Sequence, residues 1–220
     1  MEYVMSGEIP GKDLFMMCEK PNTAAFRELP SQFHFRLCRR DELEIWKQML
    51  FDFELTPEQR SEYMQMMTDY FNKYYAAQAD LFFAKCLFAC NADDMPVGRC
   101  FIWKSYGKLN TIQWYKVLKS YENQGIGRAL LTAVMKDLTE EDYPVYLHTH
   151  PSSFRAMKLY SDFGFALLSD PVIGFRNNDL DECMPILEKY MPEKDFKNLR
   201  VVKAPQFLLD VAASTSEMDF

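Results

Sequence analysis

The sequence predicts a mixed α/β domain, a twisted and mostly antiparallel sheet flanked by helices. Three observations carry that reading. Runs with strand character at residues 81–90, 97–106 and 110–118 are separated by short turn-like breaks, Asn91-Ala-Asp-Asp-Met-Pro and Gly107-Lys108, as in an antiparallel meander. The third run feeds a two-glycine loop that opens an amphipathic helix. A further strand, helix and strand follow within residues 144–168.

The elements can be justified in order. Residues 1–33 form an N-terminal extension in which Asp13–Glu19 (DLFMMCE) reads as an added edge strand. Residues 34–39 alternate like a first main strand. Asp41 followed by Glu44 is a capping-box pattern, and Ile45, Trp46, Met49 and Leu50 make one helical face. Thr56-Pro57-Glu58-Gln59 starts a second helix, with proline at its first position. Its stripe of Tyr63, Met67, Tyr70, Phe71 and Tyr74 reads as core. After the meander, Ile126, Ala129, Leu130, Ala133, Val134 and Leu138 recur at helical spacing and place a helix over 125–138. Pro144–His150 is a strand, Pro151-Ser152-Ser153 starts a helix that Gly164 ends, and Phe165 opens a last strand. The main domain therefore covers 34–169. The C-terminal extension, 170–220, carries a helix near Asp179–Tyr190 that Pro185 should bend or split, then a polar, frayed tail from Ala212 to Phe220. Such an extension packs on its own domain or reaches a partner subunit, so a homodimer is one arrangement it permits.

Composition narrows the function. The net charge of −7 argues against nucleic acid, whose affinity comes mostly from basic surface. A local cluster of Lys and Arg can still hold a polyanionic cofactor. The six cysteines include no CxxC pair, so we expect reduced thiols and no metal centre. No apolar run approaches the length of a membrane span, and residues 1–13 lack the basic and apolar regions of a signal peptide. The expectation is a cytoplasmic protein with no membrane partner.

The informative stretch is Val117 to Leu131. A helix start leaves backbone N–H groups unpaired and carries partial positive charge. Gly125 and Gly127 remove side chains there, and Arg128 adds a full charge in the first turn. This predicts an anion site, with a pyrophosphate the best fit. A Walker loop is excluded because no Lys-Ser or Lys-Thr pair follows the glycines. A dinucleotide fingerprint needs a small residue where Leu130 stands, which disfavours a nucleotide-dependent oxidoreductase.

The stretch does resemble the GNAT superfamily of acyl-CoA N-acyltransferases. Their loop reads Arg/Gln-x-x-Gly-x-Gly/Ala after a strand ending Val-x-Pro. Val117, Gly125 and Gly127 match, and Arg128-Ala-Leu-Leu matches the usual helix opening, whereas Lys119 and Glu122 replace the proline and the Arg/Gln. A second signature, N-x-x-A-x-x-x-Y-x-x-x-G-F, resembles residues 153–165, with Ala156, Tyr160, Gly164 and Phe165 in register and Ser153 in the Asn place.

The resemblance implies transfer of an acyl group, acetyl first among the choices, from acetyl-CoA or another acyl-CoA to a primary amine of a small molecule or peptide. By the same resemblance, the backbone of Val117, Leu118 and Lys119 would bond pantetheine. Gln124, Gly125, Ile126, Gly127 and Arg128 would hold the diphosphate, joined by Ser153 in cofactor binding, and Tyr160 would be the general acid. Asp52 and Glu54 lie where the fold receives its acceptor, and carboxylates suit a cationic amine. The base stays open among His148, His150, His34, Glu122 and a water chain. The departures at Glu122 and Ser153 keep a second reading, a catalytically silent acyl-CoA-binding module.

Overall fold

A computed structural model describes residues 9–215, 217, 219 and 220. In chain order, the first half contains β1 (Leu14–Cys18), β2 (His34–Leu37), α1 (Leu43–Gln48), α2 (Pro57–Tyr74), α3 (Ala79–Lys85), β3 (Leu87–Cys90) and β4 (Pro96–Ser105). There follow β5 (Leu109–Val117), α4 (Ile126–Met135), β6 (Val145–Thr149), α5 (Phe154–Asp162) and β7 (Ala166–Leu168). The rest holds β8 (Val172–Ile173), β9 (Arg176–Asn177), α6 (Leu180–Tyr190), α7 (Glu193–Lys197), β10 (Val201–Val202) and α8 (Gln206–Ala213). Strand pairing is mostly antiparallel, with parallel pairs at β7/β10 and β5/β6, so the mixed α/β class is the observed one.

Two compact units divide the chain. One comprises the described residues up to Ala25, Lys104–Thr111 and the described residues from Leu138 onward. Its strands run in the order β10-β7-β1-β6-β5. Here the expected edge strand is corrected: β1 is antiparallel to β6 on one side and to β7 on the other. All five of its residues are buried, because an unbroken run of apolar side chains fills both faces of an interior strand. The frayed tail expected over Ala212–Phe220 is corrected for its described residues, Ser216 and Met218 lying outside them. Asp219 and Phe220 are buried, the Phe220 ring stands edge-on to Phe15 at 5.8 Å, and Arg176 donates to the Phe220 carbonyl over 2.7 Å. One terminal aromatic ring outweighs a polar composition. Helix α6 also runs unbroken through Pro185, held by the buried face of Leu180, Cys183 and Leu187.

The other unit comprises Phe26–Trp103 and Ile112–Asp137, and its strands run β5-β4-β3-β2. Its core is aromatic: Trp46, Phe71, Tyr75, Phe82, Phe88 and Phe101 pack together. Two local expectations change. Residues 81–85 are helix rather than strand: Phe82 is buried edge-on to Trp46 at 5.2 Å, adjacent Phe83 packs on the same core, and burial does not alternate. The cap ahead of α1 uses Glu42 rather than Asp41 and Glu44. Glu42 accepts the Arg39 N–H at 2.9 Å and takes Arg36 in a bidentate pair at 2.7 Å on each oxygen, so one buried carboxylate serves both. Helix α2 starts as expected, with Thr56 and Gln59 capping reciprocally.

Candidate functional site

β5 delivers the chain to the glycine loop, and it does so out of phase. Neighbouring strand residues normally face opposite sides. Gln113 and Trp114 instead reach the same hydroxyl: Tyr75 Oη lies 3.2 Å from Gln113 Oε1, and the Trp114 indole N–H donates to Tyr75 Oη over 2.9 Å. Trp114 has φ 51°, a left-handed backbone that costs a bulky residue about 1–3 kcal/mol. It acts as a bulge does, re-aiming the residues beyond it. Tyr115 and Val117 then both face the backbone of Gly127 in α4.

Arg99 braces this irregularity. Its fully buried guanidinium lies 4.7 Å from the Trp46 ring centroid and 5.5 Å from that of Trp114. Nε donates to the Trp114 carbonyl over 3.2 Å and Nη1 donates to the Trp46 carbonyl. Nη2 has no hydrogen-bond partner among the described residues. Burial lowers this group to about 10.

Beyond β5 the loop is held by backbone bonds. The Leu118 N–H donates to Val97 O over 2.9 Å, and the Lys119 N–H donates to the Asp52 carboxylate. A turn over Lys119–Tyr121 follows, and the Gln124 amide donates to Ser120 O at 3.3 Å. Asn123 and Gly125 take φ values of 62° and 83°, and Gly125 becomes the N-cap of α4. The first helical bond runs from Ala129 N–H to Gly125 O, so the N–H groups of Ile126, Gly127 and Arg128 precede the intrahelical ladder, with no capping side chain. That is the arrangement in which a helix start accepts an anion.

The two glycines do different jobs. Gly125 supplies the left-handed turn. Gly127 makes room on the strand side: a Cβ there would run into the Tyr115 hydroxyl. Burial pushes that phenol far above the usual tyrosine range. Lys116, beside them on β5, is lowered by burial, against which Asp52 and Glu122 pull upward.

Asp52 and Glu54 lie on the α1–α2 connection and line a cleft of about 690 Å³ with Phe51, Phe53, Leu55 and Arg60. The structure thus brings Asp52 to Lys119 and Val117 to Gly127, and makes Gln124–Arg128 one continuous loop and helix start.

Ser153 and Tyr160 belong to the other unit. Ser153 is the N-cap of α5 but makes no side-chain cap, and its N–H donates to His150 O at 2.9 Å. Tyr160 is buried, with its ring 5.9 Å from Phe165. The histidines weighed as bases are all engaged. His34 contacts Asp94 at 2.9 Å, and His150 Nδ1 contacts the Lys12 carbonyl at 2.9 Å. His148 Nε2 is 2.8 Å from Asp13, and Arg176 donates to the same nitrogen over 2.7 Å. Burial lowers His148 to about 4, with Asp13 opposing. Asp13, His148 and His150 converge closely enough to hold a metal ion, but Arg176 already lies 3.0 Å from the Asp13 carboxylate.

Sequence reasoning missed this Asp13–His148–Arg176 cluster and the Arg99 bracket. The first gathers residues from three distant segments and has no motif. The second had a readable signal, an arginine inside the apolar run Cys100-Phe-Ile-Trp and its approach.

A strand that turns through a left-handed glycine cap into a helix, in a mixed and mostly antiparallel sheet, defines a mixed α/β domain. Residues 46–165, more than half of the chain, match the model of the acetyltransferase (GNAT) family, and the chain belongs to that family. Acyl transfer from CoA to an amine is the chemistry the family indicates. No curated protein matches the chain. Among solved structures, a GNAT-family acetyltransferase from Colwellia psychrerythraea is 15% identical with a TM-score of 0.50, over 72% of this chain and 53% of its own. The chain thus spans about half the length of that relative. Diaminobutyrate acetyltransferase EctA from Paenibacillus lautus, solved with L-2,4-diaminobutyric acid and coenzyme A, is 17% identical with a TM-score of 0.41, over 60% of this chain and 74% of its own. At 15% identity the likeness to the first of these is one of fold.

Proposed function

We propose that this protein is an N-acyltransferase that moves an acetyl group from acetyl-CoA to the primary amine of a small molecule or peptide. The observation that carries the reading is the α4 start, where three amides precede the helical ladder behind a side-chain-free cap. The diphosphate would lie against this helix start, with Gly125 at the cap and Arg128 in the first turn. Gln124 and Ile126 shape the same loop. When bound, the cofactor supplies an activated acyl thioester. By the family resemblance, the backbone of Val117, Leu118 and Lys119 would orient it, Ser153 would contribute to its binding, and Tyr160 would hold the proton for the departing sulfur. Asp52 and Glu54 attract a cationic acceptor. Six free, buried thiols suit a reducing cytoplasm. No helix among the described residues is long and apolar enough to cross a membrane.

A second reading, a silent acyl-CoA-binding module, draws on the Leu118 and Lys119 amides, both of which already have acceptors in Val97 and Asp52. Calorimetry with CoA, acetyl-CoA and NAD, followed by thiol-release assays over an amine panel, separates the readings. Binding of acetyl-CoA with turnover supports the enzyme, and binding without turnover of any amine supports the module. A response to NAD alone rejects both.

A further inference from the structure

The cleft beside Asp52 carries more than acid groups. Phe51 and Tyr63 stack at 4.9 Å with 22° between their planes, and Phe53 stands edge-on to both, at 6.4 Å from Phe51 and 6.5 Å from Tyr63. Phe51 is buried, but Phe53 is 55% exposed and Tyr63 37%. Phe51 and Phe53 alternate in sequence with Asp52 and Glu54, and all four line one cleft.

We propose that the acceptor is an arylalkyl amine, a primary ammonium one or two carbons from an aromatic ring. This names the substrate class within the acyltransferase reading and rests on it. The exposed Phe53 ring offers a stacking or edge partner to the ligand's ring, and burying that pair against water favours the complex. Glu54 receives the ammonium. Among the described residues its carboxylate forms no ion pair, whereas one oxygen of Asp52 already accepts the Lys119 N–H. A polyamine would leave the rings unused, and a neutral acceptor would make no use of the two carboxylates, which outnumber the one cation of the lining, Arg60.

The experiment is direct binding of three probes by calorimetry on the full chain: 2-phenylethylamine, hexylamine and 2-phenylethanol. They separate ring plus charge, charge alone and ring alone. We expect phenylethylamine to bind about tenfold more tightly than either other probe. Phe53→Ala should reduce it to the level of hexylamine. Glu54→Gln should weaken both amines and leave the alcohol unchanged. Both side chains are exposed, and circular dichroism checks that each variant folds. Equal affinity for the three probes, no binding of any, or an unaffected Phe53→Ala would overturn the proposal. Acetyl-CoA binding to the same samples is measured separately. If it fails while the ring preference holds, the acyltransferase reading falls and the amine site stands. If it succeeds and the ring preference is absent, the reverse applies.

Discussion

The carboxylate of Asp52 accepts the backbone N–H of Lys119, tying the α1–α2 connection to the first residue of the turn that follows β5. The residue expected at the acceptor therefore touches the residue expected at the cofactor. If pantetheine uses the Lys119 amide, Asp52 competes for it. Asp52→Ala should leave CoA affinity unchanged or raise it by a few-fold, while stability falls by about 1 kcal/mol for one exposed hydrogen bond. Calorimetric titration with CoA checks this. A tenfold loss of affinity would show instead that Asp52 shapes the loop for the cofactor.

Gly127→Ala tests the packing of α4 on β5. The added methyl meets the Tyr115 hydroxyl, and overpacking of this kind costs about 1–3 kcal/mol. Combining it with Tyr115→Phe removes the obstructing oxygen and should recover most of the loss. Urea denaturation of the two single variants and the double variant measures the coupling, and purely additive losses would refute the contact.

Tyr160→Phe tests the proposed proton donor. The ring and its packing near Phe165 survive, so stability should fall by no more than about 1 kcal/mol. Turnover should drop by about 10²–10⁴ with CoA binding retained. Equal turnover in the variant would remove Tyr160 from the reaction.

His148 makes stability depend on pH. Its native value, about 4, lies below the ordinary 6.5, so the unfolded chain takes up the proton first. Its contribution is complete above about pH 6.5 and is lost as pH falls toward 4, up to roughly 3 kcal/mol. Asp13, Arg176 and His150 face the ring. Asp13 is itself held well below the carboxylate range, chiefly by His148, so its own loss comes at lower pH. Denaturation midpoints of His148→Gln should be flatter than wild type between pH 6.5 and 4, and an identical slope would assign the dependence elsewhere.

Much of this was legible in the residues. The meander, the glycine helix start and the Thr56 cap rest on local chemistry, and local chemistry is what a sequence displays. The glycines were legible in place but not in purpose, because the Tyr115 hydroxyl beneath Gly127 depends on the phase of a neighbouring strand. β1 looked like an edge because its partners, β6 and β7, lie more than a hundred residues away. The C-terminal part of α3 resembles a strand in sequence because short apolar runs fit either period. Asp13, His148 and Arg176 meet only through the fold, and no spacing announces them.

The left-handed step at Trp114 also divides β5 into two reading frames. Gln113 and Trp114 both reach the Tyr75 hydroxyl, and after Trp114 the parity is reset so that Tyr115 and Val117 address α4. Losing one residue upstream of Trp114 would invert the first frame alone, whereas losing Trp114 itself would merge the two and turn Tyr115 away from Gly127. The approach to the glycine loop is thus insulated from register errors in the earlier half of its own strand, and a single backbone dihedral sets the boundary.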